Sequence, residues 1–578
     1  MHIDARELGA QEQDCDLCII GAGPAGISLA REFIGQGLRV ALLESGGIEP
    51  DARVQALAEG PTFGDIKPSF EVNSRQFGGN ANVWCIGLGP AEQGLRHALF
   101  DEIDFEPRPW VPHSGWPLRR DDLIAHYQRA QQVCGAGQFD YGPQSWQEPD
   151  ALPLPLHEHG VHTGMFQFSP FELFTRSYRE QLLQAPNITV YTHATATELL
   201  PRSDQAAVAA VRVSGPGQRS WTLRARNFVV AAGGYENARL LLCSLGADGT
   251  ALGNAHGRVG RYYHDHLQGR SGYLIASDPH LLERLGLYDL RLRRGAYVMG
   301  YLKLAPELQA RERVLNINCF LFPRPAQRQD RAIEAFNTLR QRRLLRPRAD
   351  ETAPALGLRK TLALSWQVAK GLDYVSQMAA RAAAGTQSTA YGLGHGGWSA
   401  LEHPGERFSR LELWHSIEQS PHPDNRVELS QERDALGCRR LALHWHWPQE
   451  DIEQTIRAQE LFARALEQAG LGRVERVREE DGSPHLARPV GSHHLMGTTR
   501  MHADPREGVV DANCQVHGVD NLYVAGSSVF PTGGYANPTL TLVALALRLA
   551  DHLKGLPHLR TALPRPAPLH AQEQRLTP

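Results

Sequence analysis

The chain has 578 residues, 42% of them hydrophobic, enough to bury a sizeable core in more than one lobe. Its 60 Lys and Arg against 63 Asp and Glu leave a formal charge of -3, which gives no general pull toward nucleic acid and points to a small-molecule partner. Eight scattered cysteines fit a reducing compartment. The opening residues, with Asp4, Arg6, Glu7, Glu12 and Asp14, lack the apolar core of a signal peptide, and no apolar run is long enough to cross a bilayer. A cytoplasmic protein is expected.

In chain order, the first informative element is Leu17-Cys18-Ile19-Ile20, an apolar run of strand length. Gly21-Ala22-Gly23-Pro24-Ala25-Gly26 follows it and opens a stretch of helical periodicity from Ile27 to Ile34. In such a strand–turn–helix unit Gly21 permits the turn, Gly23 lets the backbone approach a pyrophosphate, and Gly26 lets helix and strand pack closely. A second strand, Arg39 to Leu43, ends at Glu44, about twenty residues past the motif, where a carboxylate accepts hydrogen bonds from an adenosine ribose. These residues predict a bound dinucleotide and leave NAD(P) and FAD both open. Cys15-x-x-Cys18 is not at a helix N-terminus, where a reactive thiolate belongs, so both cysteines are expected to be ordinary small residues.

Ser74-Arg75-Gln76-Phe77-Gly78-Gly79-Asn80-Ala81-Asn82-Val83-Trp84 is a second glycine turn, too polar for a core. Further on come Asn187 to Val190, Ala194 to Leu199, Phe228 to Arg239, and Gly260-Arg261-Tyr262-Tyr263-His264-Asp265-His266. Alternating runs at Leu315 to Leu321 and Arg410 to Trp414 predict an antiparallel sheet, and Glu450 to Ala469 a long helix. Between those runs, residues 324–384 carry about twelve basic and five acidic residues, a local excess near +7, with Leu364, Val368, Leu372, Val375 and Ala379 at helical spacing. The plain reading is a helical insertion on the substrate side; the sharper one is a docking surface for an anionic membrane or an electron-accepting partner. His264-x-His266 and His444-x-His446 invite a metal, but no third and fourth ligand stands at a recognisable spacing, so none is expected. Near the end stand His493-His494, Gly497 to Met501, Asn521 to Ser528, and Gly533-Gly534-Tyr535-Ala536-Asn537-Pro538-Thr539 ahead of a helix to Leu553. The tail, 558–578, is Pro-rich and polar and is expected to be disordered.

Taken together in this order, the motifs resemble the glucose-methanol-choline (GMC) flavoprotein oxidoreductases from residue 14 to about 555, and within them the pyranose oxidase-like and bacterial sugar or polyol dehydrogenase branch. The resemblance implies an α/β chain with a Rossmann-like FAD domain and an α+β substrate domain built on an antiparallel sheet with helices. It also implies that the FAD domain is discontinuous, at 14–105, 180–270 and 485–557, with 106–179 and 271–484 forming the substrate domain. The implied FAD contacts are Gly21, Gly23, Gly26, Glu44 and Ser45, then Gly78, Gly79, Asn80 and Asn82, then Ala196 and Ala232, and finally Gly526, Ser527, Asn537, Pro538 and Thr539. Where one branch carries a covalent flavin bond on a His, this chain has Val83, so FAD is expected to be held noncovalently.

The implied reaction is oxidation of a sugar, glycoside or cyclic polyol hydroxyl, with His494 as the base and Asn537 hydrogen-bonding the same substrate oxygen. On spacing alone His494 reads as a structural residue and Asn537 as a turn or cap, and His493 competes, since neighbours on an extended segment point to opposite sides. Two further readings use the same residues: a hydroxynitrile lyase of this family, and a flavoprotein subunit of a membrane-linked dehydrogenase complex. The sequence names neither the electron acceptor nor the oligomeric state.

Overall fold

The computed structural model describes residues 1–560 apart from 9–11, 66–72, 85, 89–92, 150, 203–205, 216, 218–219, 345–356, 384–396, 402 and 479–489. A six-stranded parallel sheet forms one lobe, in the order His2–Asp4, Ile188–Thr192, Val40–Leu43, Leu17–Ile20, Asn227–Val230, Leu522–Val524. Val40–Leu43, Leu17–Ile20, Asn227–Val230 and Leu522–Val524 are wholly buried, which is why they read as apolar runs rather than alternating ones. The helices Pro24–Arg31 and Thr539–Gly555 pack against each other beside this sheet. Residues from the beginning, middle and end of the chain thus meet in one layer.

The second lobe is a ten-stranded sheet whose central members are Leu267–Ala276, Arg410–Ile417, Asn318–Arg324, Ala296–Leu304, Val161–Pro170 and Gln93–His97, all antiparallel to their neighbours. Register pairs Arg96 with Phe168, Met299 with Phe166 and Phe320 with Trp414. Because side chains alternate across a strand, Arg96, Phe166 and Phe320 share one face, and their contacts agree: the Arg96 guanidinium lies 4.8 Å and 5.1 Å from the two ring centroids.

Two sequence expectations need correction. Gln93–His97, assigned by sequence to the flavin lobe within 14–105, pairs instead with Val161–Pro170 in the antiparallel sheet; five residues are too few for their alternation to name a partner. The tail does not lose its order at 558: Pro557–Arg560 is a helical turn with Leu559 buried and the His558 ring hydrogen-bonded to Asn227. Residues 561–578 lie outside the described residues. Within the insertion, the residues from Leu364 to Ala379 lie on two helices, Leu358–Lys370 and Leu372–Ala383, following Gln327–Leu344. Gly371 separates them, and it is small because a Cβ there would come within 2.3 Å of the Ala332 side chain. These three helices enclose a small core of their own, Ala332, Ile333, Val375 and Met378, and a buried Arg410–Asp330 ion pair of 2.6 Å ties them to the sheet.

Candidate active site

The glycine turn after Leu17–Ile20 is built as its sequence requires. Gly21 has φ +110°, and a Cβ on Gly26 would sit 1.9 Å from the Gly21 carbonyl oxygen, so only glycine lets this helix rest on its own turn. No side chain caps the helix Pro24–Arg31, which leaves its first N–H groups open to an anion. The second turn backs onto the first: a Cβ on Gly79 would lie 2.9 Å from the Gly23 Cα. Asn82 holds that second turn by donating from Nδ2 to the Phe77 and Gly79 carbonyls, and Asn80 Oδ1 accepts from the Ser74 N–H.

A cleft runs between these turns and is lined by Gly21, Gly23, Glu44, Ser45, Gly79, Asn80, Trp84, Ala196, Ala232, Leu495, Gly526 and Ser527, among others. Glu44 is buried; its two oxygens accept from the Ala22 and Gly46 N–H groups at 3.0 Å and 2.8 Å, and burial pushes its carboxyl pKa up. Ser527 Oγ donates to the Leu495 carbonyl at 2.7 Å, coupling the last glycine turn to the segment that carries His494. Gly26, Gly78 and Asn82 serve the turns behind the lining. Pro538 caps and Thr539 begins the helix Thr539–Gly555, and it is Leu542, one turn on, that reaches the cleft.

At the Trp84 end the structure brings His494 and Asn537 together. Asn537 Nδ2 donates to His494 Nε2 at 3.1 Å, and the Asn537 Oδ1 accepts from Arg96 Nε at 2.7 Å. His494 Nδ1 lies 2.8 Å from His266 Nδ1, and His266 Nε2 lies 3.0 Å from the Gly533 carbonyl oxygen. The polarity of this chain is fixed at both ends, since a guanidinium only donates and a carbonyl only accepts. Gly533 therefore requires the proton of His266 on Nε2. The bare His266 Nδ1 then accepts from His494 Nδ1–H, which leaves His494 Nε2 without a proton, its lone pair accepting from the Asn537 amide. Burial, followed by the neighbouring His266 and Arg96, holds the His494 pKa well below the usual imidazole value, so the ring is neutral at neutral pH.

His493 is the other half of that dipeptide, and its positive φ of 63° turns the chain so that His494 goes inward. The His493 carbonyl accepts from Trp84 Nε1 at 3.1 Å. Asp265 clamps the turn: Oδ1 accepts from the His494 and His266 N–H groups at 2.9 Å and 2.7 Å, and Oδ2 from the His493 N–H at 3.1 Å. Burial raises the Asp265 pKa to about 7. Asp265, His266 and Arg96 are the site residues that sequence reasoning missed. The His264-x-His266 spacing was a visible signal, weighed there only for a metal; Arg96 had none, because its strand is placed by distant partners.

Two family models match the chain: GMC oxidoreductase over residues 421–546 and FAD dependent oxidoreductase over residues 16–264. Paromamine 6'-oxidase of Streptomyces fradiae is 24% identical over 601 residues, covering 96% of this chain and 94% of that protein. The chain is similar to the GMC oxidoreductases. The C-glycoside 3-oxidase of Arthrobacter globiformis is 39% identical to this oxidoreductase over 116 residues, 20% of the chain and 21% of the relative. Among solved structures, pyridoxine 4-oxidase from Mesorbium loti shares the fold with a TM-score of 0.50 and 19% identity over 93% of this chain and 99% of that one. The oxidoreductase is an FAD-dependent enzyme acting on CH–OH groups. Its cleft suits that cofactor, with an uncapped helix N-terminus, two glycine turns in close approach and a buried carboxylate, while Val83 offers no atom for a covalent flavin bond.

Proposed function

We propose that this oxidoreductase converts a hydroxyl of a sugar, glycoside or cyclic polyol to a carbonyl, with His494 as base and Asn537 as the partner of the reacting oxygen. One observation carries the reading: the buried His494 Nε2 lone pair and the Asn537 Nδ2 donor are 3.1 Å apart, and the His494 ring meets Trp84, a residue of the cleft lining, edge-on at 6.2 Å between centroids. A hydroxyl entering between them gives its proton to Nε2, and the amide N–H stabilises the alkoxide character that develops. His266 accepts from His494 Nδ1–H throughout, so it holds the reactive tautomer and steadies the imidazolium once the proton arrives. Bound FAD supplies the hydride acceptor. The domain division expected from sequence, with Gln93–His97 moved to the antiparallel sheet, is part of this proposal, with that sheet as the roof over the site.

The substrate class is supported by the full-length similarity to paromamine 6'-oxidase and the shorter one to C-glycoside 3-oxidase. The test is anaerobic reduction of the purified flavoprotein by a panel of sugars, glycosides and polyols, read as bleaching of the flavin. At least one member of the panel bleaches the wild type and fails to bleach His494→Ala. No bleaching by any member, or equal bleaching of the variant, overturns the proposal.

A further inference from the structure

The helices of the 327–383 insertion carry an apolar face that packs on none of the described residues. On the helix Leu358–Lys370, Thr361, Leu364 and Val368 face inward, and Val368 joins the insertion's own small core. Leu358, Leu362 and Trp366 repeat at every fourth residue and point elsewhere, at 78%, 61% and 63% exposure, and Leu372 at the start of the next helix is 58% exposed. At 100° per residue these three positions span an arc of about 80°, turned by more than about 100° from the packed side. Among the described residues, large apolar side chains this exposed are otherwise scattered singly; here four gather on one short stretch.

Cations frame this face. Arg359 and Lys370 fall on the same helix within about 40° of Trp366, and the Lys370 ammonium lies 5.5 Å from the Trp366 ring centroid. The stretch is thus basic on a chain whose formal charge is -3, so its charge was not dictated by overall composition. Leucines and a tryptophan on one arc with Lys and Arg along its border make a helix suited to lie in the headgroup layer of an anionic bilayer. No helix among the described residues is long and apolar enough to cross a membrane, so the contact is with the surface.

We propose that the helix Leu358–Lys370, with Leu372, is a membrane-docking face that seats the enzyme on anionic lipid. Leu358, Leu362, Trp366 and Leu372 enter the interface, and Arg359 and Lys370 meet the lipid phosphates. The insertion stands on the sheet through Arg410–Asp330, so docking leaves the chemistry untouched.

Sedimentation of the flavin-loaded enzyme with vesicles tests this. Equal parts phosphatidylcholine and phosphatidylglycerol should pull the wild type down, and phosphatidylcholine alone should do so at least about tenfold less well. The double variant Leu362→Ser/Trp366→Ser should lose at least about tenfold of the binding, and Arg359→Glu/Lys370→Glu about fivefold or more per charge removed. Both sites are exposed, and each variant keeps its flavin and its rate of alcohol oxidation in solution. Absence of wild-type sedimentation, equal binding to neutral vesicles, or unchanged binding of the variants overturns the proposal. So does analytical ultracentrifugation in which the wild type is a dimer and Leu362→Ser/Trp366→Ser a monomer, because the face is then a contact between copies of the chain.

Discussion

Replacing His266 probes the hydrogen-bond chain where its logic is most exposed. In His266→Phe the buried His494 Nδ1–H loses the acceptor now 2.8 Å away. An unpaired buried donor costs about 1–3 kcal/mol, and a hydrogen bond to a charged group is worth about 1.5–3 kcal/mol. The charged case applies as His494 takes the substrate proton, so the loss falls on the transition state more than on the resting enzyme. Flavin reduction should therefore slow by about 10- to 100-fold, with little change in the substrate concentration needed for half-maximal rate. Asn at the same position offers an acceptor oxygen close to where Nδ1 stands, so His266→Asn should recover most of the rate although it abandons Gly533. Stopped-flow anaerobic reduction, with flavin content measured on each protein, is the assay. Wild-type rates in His266→Phe refute the reasoning, as does an Asn variant no faster than the Phe variant, which would make the residue a space-filler.

Four more outcomes follow from the same geometry. Asn537→Ala, which removes the donor beside His494 Nε2, should lower the reduction rate by about 10²- to 10³-fold without loss of flavin, measured by the same assay. Arg96→Met frees the Asn537 amide to rotate, and a drop of about tenfold in kcat/KM is expected, with Arg96→Lys failing to restore it because the bond comes from Nε. Gly26→Ala puts a methyl 1.9 Å from the Gly21 carbonyl oxygen, so the variant should purify with little flavin or not fold, read from its absorbance spectrum and thermal melt. For pH, a base whose folded pKa is held well below 6.5 stays deprotonated above that value, so the acid limb of kcat/KM due to His494 should lie below pH 6.5, with the rate flat above it as far as this group is concerned.

The residues that were legible in the sequence are those whose role is local. Gly21, Gly23 and Gly26 announce a turn because the absence of a Cβ is needed within one strand–turn–helix unit, and their places in the structure follow from six consecutive residues. His494 and Asn537 were paired by resemblance alone, and their meeting depends on strands from both ends of the chain lying in one sheet. Arg96 reaches Asn537 only because Gln93–His97 pairs with Val161–Pro170 and Val161–Pro170 with Ala296–Leu304, which no local pattern encodes. The apolar arc of Leu358, Leu362 and Trp366 was hidden for a different reason. Periodicity finds helical faces, yet the stripe through Leu364 and Val368 fits the same helix, and only burial tells which of two apolar stripes has a partner.

The electrostatics of the site carry two opposed demands, and the chain resolves them by position. A base must be neutral before the reaction and must tolerate a proton during it, while the substrate oxygen gains negative character at the same moment. Arg96, whose pKa burial lowers to about 10, stays charged at neutral pH and by itself makes His494 harder to protonate. It stands on the far side of Asn537, however, and its Nε polarises the amide that faces the substrate oxygen, so its field favours the developing alkoxide first. On the opposite side of His494 stands an uncharged acceptor, the His266 Nδ1, rather than a carboxylate. A carboxylate there would raise the His494 pKa and leave part of the enzyme protonated and inactive at neutral pH, and Asp265, which is close enough in sequence to have taken that place, spends its oxygens on the backbone N–H groups of His266, His493 and His494 instead. His266→Asp should accordingly move the acid limb of kcat/KM to higher pH, and a pH profile of flavin reduction in which that limb stayed where the wild type has it would contradict this division of labour.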